Sequence, residues 1–230
     1  MRTVLLTGAT GMIGIELLGR LLRDDALDLR VIAPTRRAIG VGHARLANPL
    51  VDAMTCSDQK LRGALREAPA EHVDVYACCL GSTIRKAGSP GMFHAIDHDL
   101  VLRWARVAHE LGARHALLVS SVGADPAARV FYLRVKGQTE RDLGGIGFER
   151  VDLLRPGQLL GEREESRPLE RLAQLAARAY SPWLGGELSR YRAIAAAEVA
   201  TAMTRLIAHP GPPGVHVHHH DELRRLAAVG

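Results

Sequence analysis

Three side chains near the middle of the sequence have the types and order needed to hand a proton to a carbonyl oxygen. Tyr132-x-x-x-Lys136 lies in "FYLRVKGQTE", downstream of Ser120-Ser121 in "LLVSSVGA". On a helix a spacing of four sets Tyr132 and Lys136 on one face, where the ammonium can tune the phenol and hydrogen-bond a ribose. Hydride transfer to a carbonyl leaves alkoxide character on oxygen, which calls for a proton donor and a second hydrogen bond. Tyr132 supplies the first and Ser121, at the end of a strand, the second.

A second set would hold the molecule that delivers the hydride. "TGATGMIG", Thr7 to Gly14, follows the apolar run "TVLL" and opens "IELLGRLLR". A helix N-terminus presents free N–H groups and the positive end of the helix dipole, so it binds anions that come close enough. Gly8 makes the turn out of the strand, Gly11 lets the backbone approach a pyrophosphate, and Gly14 lets the helix pack on the sheet. At the end of the second strand a carboxylate would take a ribose 2′-hydroxyl and an arginine a 2′-phosphate. "VIAPTRRAIG" has no acid there; it has Arg36 and Arg37, and a guanidinium clamps a phosphate bidentately. NADP(H) is expected over NAD(H), with a solvated arginine pair as the alternative.

The elements that position these residues alternate between apolar runs of strand length and longer stretches of helical period. Strands are expected at "TVLLT", "LRVIAP", "NPLVDA", "VDVYACCLG", "HALLVSSVGA" and "FERVDLLRPG". Helices are expected from about Met12 to Arg23, in "SDQKLRGALREA" with Ser57 or Asp58 as cap, through "MFHAIDHDLVLRWARVAHELGA", and in "FYLRVKGQTERDL". Near-continuous Val/Leu/Ile strands separated by helices imply a doubly wound parallel α/β sheet covered on both faces. Beyond Pro156 come a charged loop and helix, "RYRAIAAAEVATAMTRLIA" as a helix behind a short strand, and a hairpin-like "PGPPGVHVHHHDELRRLAAVG" with a last helix. The chain reads as one domain, 1–230, with 157–230 contributing a small substrate cap over the strand ends.

Composition narrows the partners. The chain has 230 residues, 47% of them hydrophobic, which suffices for a core. A net charge of +5 comes from scattered arginines with no basic block and only 4% aromatics, which argues against nucleic acid. No apolar run approaches the roughly 20 residues of a membrane span, and no secretory signal precedes the first strand, so a cytoplasmic protein is expected. Cys56, Cys78 and Cys79 form no disulfide framework and read as core residues. "HVHHHDE", His216 to Glu222, has metal-ligand types, but neighbouring strand residues face opposite ways, so no metal is expected there. Arg85 and Lys86 in "STIRKAGSPG" and Arg163 and Arg167 in "GEREESRP" are candidates for anionic groups, with solvated surface as the alternative. Residues 94–111 and 131–143 are a candidate self-complementary homodimer face.

Taken together, "TGATGMIG", "CCLGSTIRKAGS", "IDHDLVL", "LLVSSVGAD", "YLRVKGQTE" and "LRPGQLLGEREESRP" resemble the atypical branch of the short-chain dehydrogenase/reductases, in particular the Tat-interacting-protein oxidoreductase group. The resemblance implies a Rossmann domain binding NADP(H) and a small-molecule substrate. Gly8, Thr10, Gly11, Met12, Ile13 and Gly14 would line the pyrophosphate, and Asp52 would lie near the adenine. Leu80, Gly81, Ser82 and Thr83 would border the nicotinamide ribose, and Pro156 and Gly157 would follow beside the nicotinamide. Ser121, Tyr132 and Lys136 fall on the catalytic positions, with Ser120 an off-by-one alternative. Asp97 stands where many relatives carry an asparagine. The same likeness admits a second reading, an NADPH-binding regulator acting through a protein partner.

Overall fold

The computed structural model describes residues 1–67, 72–160 and 186–228. Its centre is a seven-stranded sheet in the order β3-β2-β1-β4-β5-β6-β9. These strands are β1 (Arg2–Thr7), β2 (Leu29–Ile32), β3 (Leu46–Ala47), β4 (Val75–Cys78), β5 (His115–Val119), β6 (Arg150–Leu154) and β9 (Gly214–His218). Every pairing is parallel, from Val31 opposite Leu46 at one edge to Val151 opposite Val215 at the other. The chain leaves β1 toward β2 on one side and later returns to β4 on the other, so a crevice opens outside the carboxyl ends of β1 and β4.

The period-2 alternation of the strands feeds two cores. Val4, Leu6, Val31, Val75, Ala77 and Leu117 face one way, against α1 (Met12–Arg23) and α7 (Ala196–Ala208). Leu5, Ile32, Tyr76, Ala116, Leu118 and Leu153 face the other, against α2 (Asp58–Glu67), α5 (Leu100–Glu110) and α6 (Phe131–Gly144). Leu17 and Leu21 of α1, at helical spacing and wholly buried, contribute roughly 1.5–3 kcal/mol each by leaving water. Ser57 caps α2, its hydroxyl accepting from Lys60 N at 3.3 Å.

The chain path corrects several expectations: the third strand forms at Leu46–Ala47, just ahead of the expected "NPLVDA", of which only Leu50 makes an isolated bridge, to Thr35. The hairpin-like stretch near the C-terminus is instead β9, an edge strand parallel to β6, because α7 carries the chain back across the sheet. It is followed by α8 (His220–Ala228). The long helix expected through "MFHAIDHDLVLRW" is interrupted: α4 (Pro90–His94) passes through a π turn, Ala95–Asp99, before α5 begins. Ahead of it, Ile84–Ala87 forms the short helix α3.

The described parts of the C-terminal third divide. α7, β9 and α8 build the body of the domain, while the two-residue strands β7 (Leu159–Leu160) and β8 (Ile194–Ala195) pair with each other just past β6. The charged loop and helix expected past Pro156, with Arg163 and Arg167 in "GEREESRP", lie outside the described residues.

Candidate active site

The glycine loop is shaped by backbone contacts that leave no room for side chains. Gly8 has φ +78°, and a Cβ there would strike the Cys79–Leu80 backbone. A Cβ on Gly14 would strike the carbonyl of Gly8, so the helix lies directly on the turn. Gly11 N–H donates to the Gly8 carbonyl at 2.9 Å, and the first helical bond runs from Ile15 N to Gly11 O at 2.9 Å. The amides of Met12, Ile13 and Gly14 therefore stand ahead of the hydrogen-bond ladder. Neither a capping side chain nor an acidic residue occupies the first turn. Thr10 and Gly11 are exposed, whereas Ile13 spends its side chain in the core and has only its backbone for a ligand. A bare helix end of this kind fits a pyrophosphate.

Arg36 and Arg37 follow β2 on an exposed loop, and no ion pair among the described residues holds either guanidinium. The loop itself is braced. Asn48 Nδ2 donates to Ala33 O at 2.6 Å and Thr35 Oγ1 at 2.8 Å, and its Oδ1 accepts from Ile39 N at 3.0 Å. Asp52 is exposed and accepts from Met54 N at 3.0 Å. The turn after it is pinned by Arg103, which bonds the carbonyls of Ala53 and Cys56 and the Asp58 carboxylate. Asn48 and Arg103 escaped the sequence reading because their partners lie on other elements.

On the far wall of the crevice the turn after β4 meets a buried ion pair. Lys136 Nζ and Asp97 Oδ1 are 2.7 Å apart, with Asp97 wholly buried and Lys136 nearly so. Asp97 Oδ2 accepts from Ser82 N at 2.8 Å. A Cβ on Gly81 would lie 3.5 Å from both Lys136 Nζ and Asp97 Oδ1. Burial works against the Lys136 charge, but Asp97, helped by Tyr132, outweighs it and holds the ammonium above the ordinary lysine value. The residue that departs from the expected asparagine is thus the partner that keeps Lys136 charged. An ammonium has three donors, and the bond to Asp97 uses one of them.

Tyr132 is half-buried in the first turn of α6, its ring 5.5 Å from that of Phe93. Ser121 is half-buried after β5 and donates to Val122 O at 3.3 Å. Ser120 is buried, and its hydroxyl finds no partner among the described residues. The short loop between Ser121 and α6 is clamped onto the helix. Asp125 N donates to Leu133 O at 3.2 Å, Arg134 donates to Ala128 O at 2.8 Å, and Gly137 leaves room for the Asp125–Pro126 backbone. Val122 N donates to Pro156 O at 3.0 Å, tying the end of β5 to the end of β6. Gly157 packs against the Arg192 carbonyl, under the β7–β8 pair.

Other candidates are used elsewhere. Thr83 caps α3, accepting from Lys86 N at 3.2 Å, and Leu80 packs on the second core. Cys78 is buried in β4, and burial pushes its thiol up. His216, His218 and His220 take separate partners, the Pro212 carbonyl, the Asp152 carboxylate and the Asp221 carboxylate. A surface depression of about 500 Å³, lined by residues including Arg106, Glu110, Arg141 and Ile146, lies at the C-terminal ends of α5 and α6. In a parallel α/β layer that is the opposite edge from the glycine loop, so it is not the cofactor cleft. Among the described residues no helix is long and apolar enough to cross a membrane.

The parallel sheet with helices on both faces and a glycine turn after β1 is a Rossmann-like α/β fold of the nucleotide-binding, oxidoreductase-like type. The NAD dependent epimerase/dehydratase family is matched over residues 4–131, and the chain belongs to it. It is 36% identical over 181 residues to Protein fmp52, mitochondrial, of Emericella nidulans, covering 77% of this chain and 75% of that one. It is 38% identical over 174 residues to Protein HTATIP2 of Rattus norvegicus, covering 75% and 69%. The fold matches the Bordetella bronchiseptica enzyme WbmH in complex with NAD+, with TM-score 0.69 and 14% identity over 95% of this chain and 75% of that one. It also matches UDP-glucose 4-epimerase from Bifidobacterium longum in complex with NAD+ and UDP, with TM-score 0.65 and 15% identity over 94% and 77%. Several fungal relatives are named as mitochondrial proteins, which overturns the expected cytoplasmic location. Short apolar runs and an early first strand bear on membrane spans and secretory signals, and say nothing of organelles.

Proposed function

We propose that this chain is an NADP(H)-dependent oxidoreductase that interconverts a carbonyl and an alcohol of a small metabolite. The observation that supports the reading is the buried Lys136–Asp97 pair against Gly81, in the turn after β4.

In this reading the amides of Met12, Ile13 and Gly14 hold the pyrophosphate, and Thr10 and Gly11 let it approach. Arg36 and Arg37 take a 2′-phosphate, Asp52 lies by the adenine, and Leu80, Gly81, Ser82 and Thr83 border the ribose. Pro156 and Gly157 lie beside the nicotinamide. The bound cofactor supplies or accepts a hydride. Tyr132 gives its phenolic proton to the carbonyl oxygen as that oxygen becomes an alkoxide, and Ser121 holds the same oxygen with a second hydrogen bond. Lys136 stabilises the charge left on Tyr132 and donates to the ribose. The C-terminal third, 157–230, contributes the substrate cap, and its described β7–β8 pair stands just past the end of β6.

The test is NADPH-linked turnover against a panel of small carbonyls, with Tyr132→Phe as control, beside calorimetric affinities for NADPH and NADH. Turnover that Tyr132→Phe abolishes and tighter binding of NADPH support the reading. Turnover that survives the substitution sinks the mechanism. NADPH binding without turnover on any substrate, with a protein partner whose affinity shifts with NADPH, favours the regulatory reading instead.

A further inference from the structure

The π turn gathers a set of side chains that the oxidoreductase site does not use. In an α-helix of 3.6 residues per turn, residue i+5 lies about 140° round from residue i, on nearly the opposite face. The wider π turn, closed by i to i+5 bonds, brings it back toward the same column. His94, His98 and Asp99 consequently converge, with candidate ligand atoms all within 4.8 Å of one another. The two imidazole rings are 4.5 Å apart. His94 Nδ1 is 3.4 Å and His98 Nδ1 2.7 Å from Asp99 Oδ1. The far nitrogen of His98, Nε2, is 2.9 Å from Asp142 Oδ2 on α6.

We propose that His94 Nδ1, His98 Nδ1 and Asp99 Oδ1 form a binding site for a divalent transition ion of the zinc type. Two imidazoles and a carboxylate are a borderline donor set that suits Zn²⁺ and its neighbours and leaves a fourth position for water. Ligand atoms on a tetrahedral ion with bonds of 2.0–2.2 Å stand about 3.3–3.5 Å apart; His94 Nδ1 and Asp99 Oδ1 are already 3.4 Å apart, and the 2.7 Å between His98 Nδ1 and Asp99 Oδ1 opens as an ion replaces the proton between them. His98 is oriented as metal-bound histidines usually are, one ring nitrogen toward the site and the other on a carboxylate, here Asp142. Asp99 is 60% exposed and His94 38%, which leaves the ion a path from solvent. The ligands lie at the end of α4 and on the π turn, two residues from Asp97, and α6 braces them through Asp142.

The experiment uses the full chain stripped of metal, titrated with ZnCl₂ by calorimetry and with CoCl₂ by visible absorption. The expected result is one ion per chain at micromolar or tighter affinity, visible cobalt bands, and a thermal midpoint raised by Zn²⁺. His98→Gln should abolish all three, and Asp142→Asn should weaken affinity about 10–100-fold by freeing the ring it orients. His94→Gln, at a less buried position than His98, serves if His98→Gln does not fold. Failure of the parent chain to take up Zn²⁺, or binding that persists unchanged in His94→Gln and His98→Gln, overturns the proposal. Neither outcome bears on NADPH binding.

Discussion

Two aspartates among the described residues are shut away from solvent, and the chain surrounds them differently. Asp152, in β6, is met from several sides. Arg150 Nη2 and His218 Nε2 each lie 2.7 Å from its Oδ1, and Arg150 Nε at 2.7 Å and His115 Nε2 at 2.6 Å reach its Oδ2. Asp97 has a single cation, Lys136 at 2.7 Å, and one backbone amide, Ser82 N at 2.8 Å. Their places in the sheet account for this. Asp152 lies where protein must meet every lone pair, so it is saturated and ties β5, β6 and β9 together. Asp97 lies near the carboxyl ends of the strands, where one cation and the amide of the turn after β4 meet it.

The largest effect should come from breaking the saturated knot. Asp152→Ala strands Arg150 and two histidines in the interior, and about 3–5 kcal/mol of unfolding free energy should be lost by denaturant titration. A loss under about 1 kcal/mol would mean that water or repacking rescues those groups, and the contrast between the two aspartates would dissolve. At the other aspartate the effect should fall on chemistry: Tyr132→Phe should lower kcat by about 10²–10⁴ while leaving the melting midpoint near the parent's.

Asp97→Asn sharpens the comparison, since it keeps the shape and removes the charge. Lys136 loses the partner that holds its pKa up, so NADPH turnover should weaken at the alkaline end of its pH profile first. An unchanged profile would show that Asp97 does not govern the lysine. Arg36→Ala and Arg37→Ala together should weaken NADPH by about 10–100-fold, the worth of one or two hydrogen bonds to a charged group, and leave NADH unaffected. Equal loss for both cofactors would break the 2′-phosphate assignment.

The smallest effect is a pH slope. His218 is held above its ordinary value: burial works against its charge, and Asp152 and Glu222 outweigh it. Its contribution is complete below the unfolded histidine value of about 6.5 and is lost as pH rises through the raised value. Asp152 is held low despite burial, by His115, His218 and Arg150, so its contribution is present above about pH 3.9 and disappears as pH falls through the lowered value. Lys136, held high, stays charged throughout this range. The melting midpoint should therefore decline between pH 6 and pH 9, His218→Asn should flatten the decline, and Lys136→Met should not.

Much of the scaffold was readable because its signals are local. "TVLLTGATGMIG" names a strand, a turn needing positive φ at Gly8, and a helix that must lie close at Gly14, all within one short stretch. The alternation within "VYAC" and "HALLV" predicts side chains for two faces, and two cores take them. The π turn was not readable: helical periodicity in "MFHAIDHDLVL" is compatible with an unbroken helix, and one extra residue in a turn is an accommodation to packing. Nor was β9, whose alternating burial suits an edge strand of either direction. Parallel pairing follows from α7 crossing over the sheet, a property of the whole path. Asp97 was visible as a departure, but its bond to Lys136 was not.

What the sequence determined by itself is the set of parts whose physics is short in range: a helix head free of side chains, strands for a covered parallel sheet, and a tyrosine and lysine one helical turn apart. Tertiary structure alone decided which charges meet: Lys136 with Asp97, Asp152 with Arg150 and two histidines, and His98 with Asp142. A buried charge takes whatever partner the fold carries to it, and helical or strand period cannot specify a contact between elements far apart in the chain.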